Sequence, residues 1–316
     1  MKLAIALALV VAACTTTKTL SEGPAGYGLP EAKALLDAGD LASAMTLAAN
    51  YTAEHPNDAR GFYTLGTLLS MTGEWAEARI AFERCISLDG YNGAAWNNLG
   101  LADLALHEAE TAVQHFRRAA DAMPGDTVPL RNLATAAARL GRHQDAVEAL
   151  EDAKARAPGD RKVQLELGNA YARAGKKDEA GATFSELLRS DDGDAMAHTG
   201  LANVLRQKGD LEQAQEHADR AVGLAPGDPM VLACAALVHD LKKDDAGAEA
   251  LYKRAIAAGP TTLDALYNYG MFLEQKQRGA EALAVYKKYA EVASPDEPAL
   301  ADVRRRIEQL SAQPAP

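Results

Sequence analysis

Residues 93–100 read GAAWNNLG, and this stretch decides the fold because its pattern returns along the chain at a fixed interval. Leu99 and Gly100 form a pair whose equivalents follow at steps of 34 residues. Those equivalents are Leu65-Gly66, Leu133-Ala134, Leu167-Gly168, Leu201-Ala202, Ala235-Ala236 and Tyr269-Gly270. A fixed period of this length indicates a chain built from stacked copies of one structural unit.

Three further columns of residues keep the same register. One column contains only alanine: Ala44, Ala78, Ala112, Ala146, Ala180, Ala214, Ala248 and Ala282. A second is mostly large, with two small members: Ala48, Phe82, Phe116, Leu150, Phe184, Ala218, Tyr252 and Tyr286. A third contains proline: Pro56, Pro124, Pro158, Pro226 and Pro260. Small residues let two helices approach, large ones fill the space between them, and proline ends a helix, so each copy is predicted to be an antiparallel helix pair.

Glycine has two predicted places in each copy. In the first helix it is expected to face the alanine column of the second helix, and these glycines are Gly66, Gly100 and Gly168. At the turn between the two helices it is expected to close the first helix. The turn glycines are Gly73, Gly141, Gly175 and Gly209.

The pattern resembles the tetratricopeptide repeat, and this resemblance implies an all-α, right-handed superhelical solenoid of antiparallel helix pairs. Full units are predicted to begin at Ala59, Gly93, Thr127, Arg161, Ala195, Pro229 and Leu263. A degenerate unit at 25–58 opens the array, which spans 25–296. Residues 297–310 are expected to form a C-terminal capping helix, and 311–316 a disordered tail.

The N-terminus predicts a lipid anchor. Residues 1–14 read MKLAIALALVVAAC, in which one lysine precedes an apolar run that is too short to span a bilayer. The residues before Cys14 resemble a bacterial lipobox, which implies removal of a signal peptide (1–13), acylation of Cys14 and a flexible tether (14–24). Thr15 follows Cys14, and no aspartate occupies this position. By resemblance to the sorting of enterobacterial lipoproteins, this implies a location at the outer membrane, facing the periplasm. An ordinary signal peptide or a simple hydrophobic N-terminus is the alternative.

Composition and motifs exclude several classes of function. The formal net charge of −11 argues against nucleic acid as a partner, because phosphate binding needs a clustered basic face. His107 and Glu108 begin a possible zinc motif, but Thr111 stands where its second histidine belongs. We predict no metal, cofactor or small-molecule substrate. Cys85 and Cys234 are predicted to stay unpaired, because they lie several repeats apart in a solenoid.

The resemblance also implies a concave groove lined by the first helix of each unit. Its polar candidates are Asn97, Asn98, Arg131, Asn132, Lys162, Asn169, Asn203 and Arg206, and its apolar candidates are Met230, Leu237, Tyr267 and Met271. Amides can pair with the backbone of a bound peptide, and basic side chains can pair with a carboxylate. The apolar residues could hold a partner helix or strand. The alternative is a set of solvated helix faces without a ligand.

A lipobox, a short tether and a repeat array together resemble lipoproteins of pilus and secretion assembly. These include Tad/Flp-type pilus assembly lipoproteins and the pilotins of secretins, and similar lipoproteins occur in gliding motility. The resemblance implies a non-catalytic scaffold that binds a protein segment, such as a secretin, a pilus subunit or another envelope-assembly component. An adaptor for envelope proteases or cell-wall hydrolases is a second class. An enzyme is a third, for which the sequence offers no motif.

Overall fold

The computed structural model describes residues 28–259, 261–295 and 297–312. These ranges contain seventeen α-helices and no strand, which confirms the all-α prediction. The helices are α1 (Pro30–Asp37), α2 (Leu41–Glu54), α3 (Ala59–Thr72), α4 (Trp75–Leu88), α5 (Gly93–Ala105), α6 (Ala109–Ala122), α7 (Val128–Arg139), α8 (His143–Arg156), α9 (Arg161–Arg173), α10 (Lys177–Ser190), α11 (Ala195–Lys208), α12 (Leu211–Leu224), α13 (Pro229–Leu241), α14 (Asp245–Ala258), α15 (Leu263–Gln275), α16 (Gly279–Val292) and α17 (Leu300–Ser311). The predicted signal peptide, Cys14, the tether and Pro260 lie outside the described residues.

The chain divides into two compact units, one ending at Val163 and the other beginning at Gln164, within α9. In the first unit each helix packs against the next from α1 to α8, and in the second unit from α10 to α17. First helices of successive pairs also touch. In the first unit α5 contacts α3 and α7, and in the second α13 contacts α11 and α15. Each unit is therefore a stack of helix pairs.

The two periodic columns form part of the core of each unit. Every member of the alanine column and of the large column is at most 3% exposed. Alanine adds little bulk where two helices cross, and the aromatic rings fill the remaining volume. Burial of these repeated side chains supplies the main stabilisation, because an isolated helix pair could not cover its own apolar face.

The atoms nearest to the first-helix glycines belong to rings of the large column, and not to the alanine column that the sequence suggested. A Cβ atom built on Gly100 would lie 2.7 Å from Cε1 of Phe116, and one on Gly66 would lie 2.8 Å from the same atom of Phe82. Gly168 meets Phe184 in the same way. The glycine thus makes room for a ring of the second helix, and the periodicity alone could not tell which two columns meet.

The turn column has a left-handed backbone throughout. Gly73 and Gly209 end α3 and α11 with φ values of 82° and 86°, as predicted for a residue that closes the first helix. The same position is occupied by other residues in three copies, and they also have positive φ: His107, Lys243 and Gln277. The position within the repeat, more than the residue type, therefore determines the left-handed backbone conformation at this turn.

The C-terminal helix α17 packs against α16 and covers the last helix pair. Asp302 of α17 accepts a hydrogen bond from the Tyr267 hydroxyl of α15 at 3.1 Å. Arg306 donates to both Asp302 and Glu274, at 2.6 and 3.0 Å. Hydrogen bonds from arginine keep the pKa of Asp302 low, at about 2. The cap is therefore tied to α15 by a charged network as well as by apolar contacts.

Candidate partner-binding faces

The first unit presents an amide cluster on its first helices. Asn132 of α7 donates from Nδ2 to Oδ1 of Asn97 on α5, at 2.8 Å. Asn97 donates in turn to Oδ1 of Asn98, at 3.4 Å. These three side chains are brought together because α5 and α7 pack side by side.

Burial changes the interpretation of this cluster. Asn97 and Asn98 are only 2% and 6% exposed, so neither amide lies open to a bound peptide. Asn97 instead ties α5 to α7. Arg131 and Asn132 are half-buried, and Lys162 is exposed at the start of α9. These three remain the accessible polar candidates of the first unit.

The second unit carries a charged candidate with unused donors. Arg206 of α11 is half-buried, and it donates one hydrogen bond to Oδ1 of Asn203 at 3.5 Å, near the limit of such a bond. Its Nε atom is buried without a hydrogen-bond partner in the part of the chain that the structure describes. Asn169 of α9 is exposed. Arg206 therefore keeps capacity to bind a carboxylate.

An exposed apolar surface runs along α13, the next first helix. Met230 is 55% exposed and Leu241 is 41% exposed, and the half-buried Leu237 lies between them. Residues spaced seven and four apart share one face of a helix, so these three side chains form a continuous surface. We call Met230, Leu237 and Leu241 the α13 stripe. Leu241 was not among the sequence candidates, although its spacing from Leu237 could have identified it.

The two remaining apolar candidates lie on α15. Tyr267 is half-buried under the C-terminal cap, with its ring centroid 6.2 Å from that of Tyr289 and its hydroxyl bonded to Asp302. Burial and this hydrogen bond raise its pKa. Met271 is half-buried on the same helix. Tyr267 thus serves the contact with the cap, whereas Met271 stays a candidate for the binding face.

Sequence analysis missed the pairing of histidines, which look scattered in the chain. His198 and His217 contact each other in the second unit, with their Nδ1 atoms 2.8 Å apart. Trp96 and His115 occupy the same positions of an earlier repeat, with ring centroids 5.4 Å apart. The shared spacing of 19 residues is the signal that could have found both contacts. No group of three metal-ligating side chains occurs among the described residues.

Cys85 and Cys234 are buried, and no disulfide joins them. The Cys234 sulfur lies 3.7 Å from the carbonyl oxygen of Thr199, and burial raises the pKa of this thiol to about 12. A thiol with such a pKa stays protonated near neutral pH and is a poor nucleophile. Cys234 therefore acts as a small packing residue.

Comparison with protein families gives the identity of the fold. The family model of the tetratricopeptide repeat matches residues 29–92, 131–195, 165–229 and 235–298, which together cover well over half of the chain. The chain belongs to the tetratricopeptide repeat family. No curated protein matches it. The tetratricopeptide repeat fold is a scaffold for protein–protein interaction, and its members are generally non-catalytic.

Several solved structures share the fold. A tetratricopeptide repeat protein from Parabacteroides merdae is 14% identical, with a TM-score of 0.69 over 80% of this chain and 98% of its own. YrrB, described as having an unusual peptide-binding site, is 23% identical, with a TM-score of 0.50 over 58% of this chain and 95% of its own. The pilF protein of Pseudomonas aeruginosa is 16% identical, with a TM-score of 0.51 over 67% and 97%. At these identities the likeness extends to the fold alone.

Proposed function

We propose that this protein is a non-catalytic scaffold held at the bacterial outer membrane by acyl chains on Cys14, facing the periplasm. Its first-helix faces bind a segment of a protein partner in a pilus, secretion or motility apparatus. The N-terminal sequence supports the anchor, because the apolar run stops at a lipobox-like cysteine. The repeat fold supports the binding role.

The observation that carries the binding role is the α13 stripe beside Arg206. Helices α11 and α13 pack against each other, so a guanidinium with unused donors lies on the helix next to exposed apolar side chains. Exposed apolar surface of this kind is commonly a site for a partner. A segment with apolar side chains and a carboxylate would cover the stripe and pair with the half-buried guanidinium of Arg206.

The partner's class is tested by purifying the full-length protein from its membranes in mild detergent and identifying the proteins that remain bound. We expect a secretin, a pilus subunit or another structural component of an envelope apparatus. Recovery of a protease or a cell-wall hydrolase in its place would contradict the proposed apparatus and support the adaptor alternative. The variant Met230→Ser should lose the partner, because it removes the most exposed side chain of the α13 stripe.

A further inference from the structure

Two histidines form a direct contact inside the helix pair α11–α12. His198 of α11 is 3% exposed, and its Nδ1 atom lies 2.8 Å from Nδ1 of His217 on α12. The other ring nitrogen of His198, Nε2, lies 3.0 Å from the backbone oxygen of Asp192. The contact therefore links the turn before α11, the helix α11 and the helix α12.

The partners of His198 determine where the protons lie. A carbonyl oxygen only accepts hydrogen bonds, so Nε2 of His198 carries the proton that is donated to Asp192. Nδ1 of the neutral His198 ring is then an acceptor, and Nδ1 of His217 must be the donor. A single proton lies between the two Nδ1 atoms. Both hydrogen bonds of His198 therefore form when the two rings are neutral.

An added proton opposes this contact. With both rings neutral, the proton can enter only at Nε2 of His217, where it places a charge in a half-buried site beside His198. An unfolded chain takes up this proton without that cost.

The charged groups around the pair do not offset the free-energy cost of protonating His217. Asp192 lies 3.7 Å from His198, but its carboxylate is exposed and shared with Arg220 of α12 at 3.1 Å. The charge of Glu216, also on α12, raises the pKa of His217. Burial is the largest influence, and it nevertheless lowers the pKa of His217.

The helices that flank the pair have their own charge partners. On α10, Asp178 pairs with Lys208 at 2.6 Å. On α13, His239 lies between Asp219 and Asp244, at 3.0 and 2.7 Å. Burial opposes the charged form of His239, but these two hydrogen bonds outweigh it and raise its pKa. His239 thus responds to pH in the opposite direction to His217.

We propose that the contact between His198 and His217 makes the helix pair α11–α12 an acid-sensitive joint, which holds at neutral pH and loosens when the pair takes up protons. The stability that it contributes is present above the ~6.5 of an unfolded histidine and declines as the pH falls below that value. The contribution of His239 has the opposite sign: it is present at acid pH and is lost as the pH rises through its raised pKa. Since α11 carries Asn203 and Arg206, a loosened α11 would also disturb the binding face, a consequence that rests on the proposed function.

Hydrogen exchange of the full chain in mild detergent, measured near pH 7.5 and near pH 5.5 and corrected for intrinsic rates, tests the proposal. We expect α11 and α12 to exchange faster at the lower pH. The variant His217→Gln should abolish this change, because its amide can either donate to His198 or accept from it. His239→Gln is the matched control and should keep the change. If exchange accelerates equally in the wild type and in His217→Gln, or in neither, the proposal of an acid-sensitive joint is wrong.

A second measurement on the unaltered protein covers the case in which His217→Gln fails to fold. Labelling histidine with ¹⁵N reports which ring nitrogen carries hydrogen. At neutral pH we expect Nε2–H for His198 and Nδ1–H for His217, with His217 titrating below ~6.5. Detection of His217 in the Nε2–H form at neutral pH, or its titration at or above that value, would refute the proposal.

Discussion

Replacing Gly100 with leucine is expected to lower the free energy of unfolding by ~3 kcal/mol, because the new side chain overpacks the core of the first unit. The Cβ atom alone would lie between 2.7 and 3.0 Å from three atoms of the Phe116 ring. That ring is fully buried. The substitution therefore forces α5 and α6 apart.

A matched pair of alanine variants separates this effect from helix propensity. Gly100→Ala should destabilise through the same close contact. Gly223→Ala, in α12, should stabilise the protein by about 0.5–1 kcal/mol, because a Cβ atom there meets nothing within 4 Å beyond its chain neighbours and its own helix backbone, and alanine favours a helix. Urea unfolding of the three variants measures these changes. An unaltered midpoint for Gly100→Leu would contradict the assigned packing.

The variant Cys14→Ser is expected to move the protein from the membrane fraction to the soluble fraction. Acyl chains hold a protein to a bilayer by ~0.8 kcal/mol per buried CH₂ group, so loss of the acylated thiol removes the proposed anchor. None of the helices in the described part of the chain is long and apolar enough to cross a membrane. A net charge of −11 also gives no attraction to anionic lipid.

Thr15→Ser is the control for this experiment, because it alters the neighbouring residue and keeps the cysteine. It should remain in the membrane fraction, as the wild type does. Fractionation followed by immunoblotting, with fatty-acid labelling of the same variants, measures both location and acylation. A Cys14→Ser protein that stays with the membrane would show that the lipobox interpretation is wrong.

The fold could be predicted because the same packing of two helices recurs in every repeat of the chain. Each copy places alanine and a large residue at fixed offsets, so an irregular copy such as the one with Ala218 is still recognised from its neighbours. The period could not show which columns touch, and the contact of Gly100 with Phe116 required coordinates. Distance along a helix is fixed by the sequence, whereas distance between helices depends on how the side chains pack.

The helix positions of the candidate binding residues were predictable from the sequence, but their accessibility was not. The offset within the repeat placed Asn97 and Asn98 on α5, yet both amides are buried in contacts with neighbouring side chains. The pairing of His198 with His217 was missed for a related reason. A search for metal ligands looks for close spacing within one helix, and this pair joins the first helix of a repeat to the second.

Site-specific photo-crosslinking in the native cell tests most directly the central claim that the first-helix face binds a partner. A photoreactive residue replaces Met230 of the α13 stripe in one strain and Leu224, at the end of the second helix α12, in another. Both side chains are exposed and apolar, at 55% and 36%, so the two probes differ mainly in the face that they occupy. The account predicts a discrete crosslinked species from position 230 and none from position 224. Equal crosslinking from both positions, or crosslinking from position 224 alone, would contradict it.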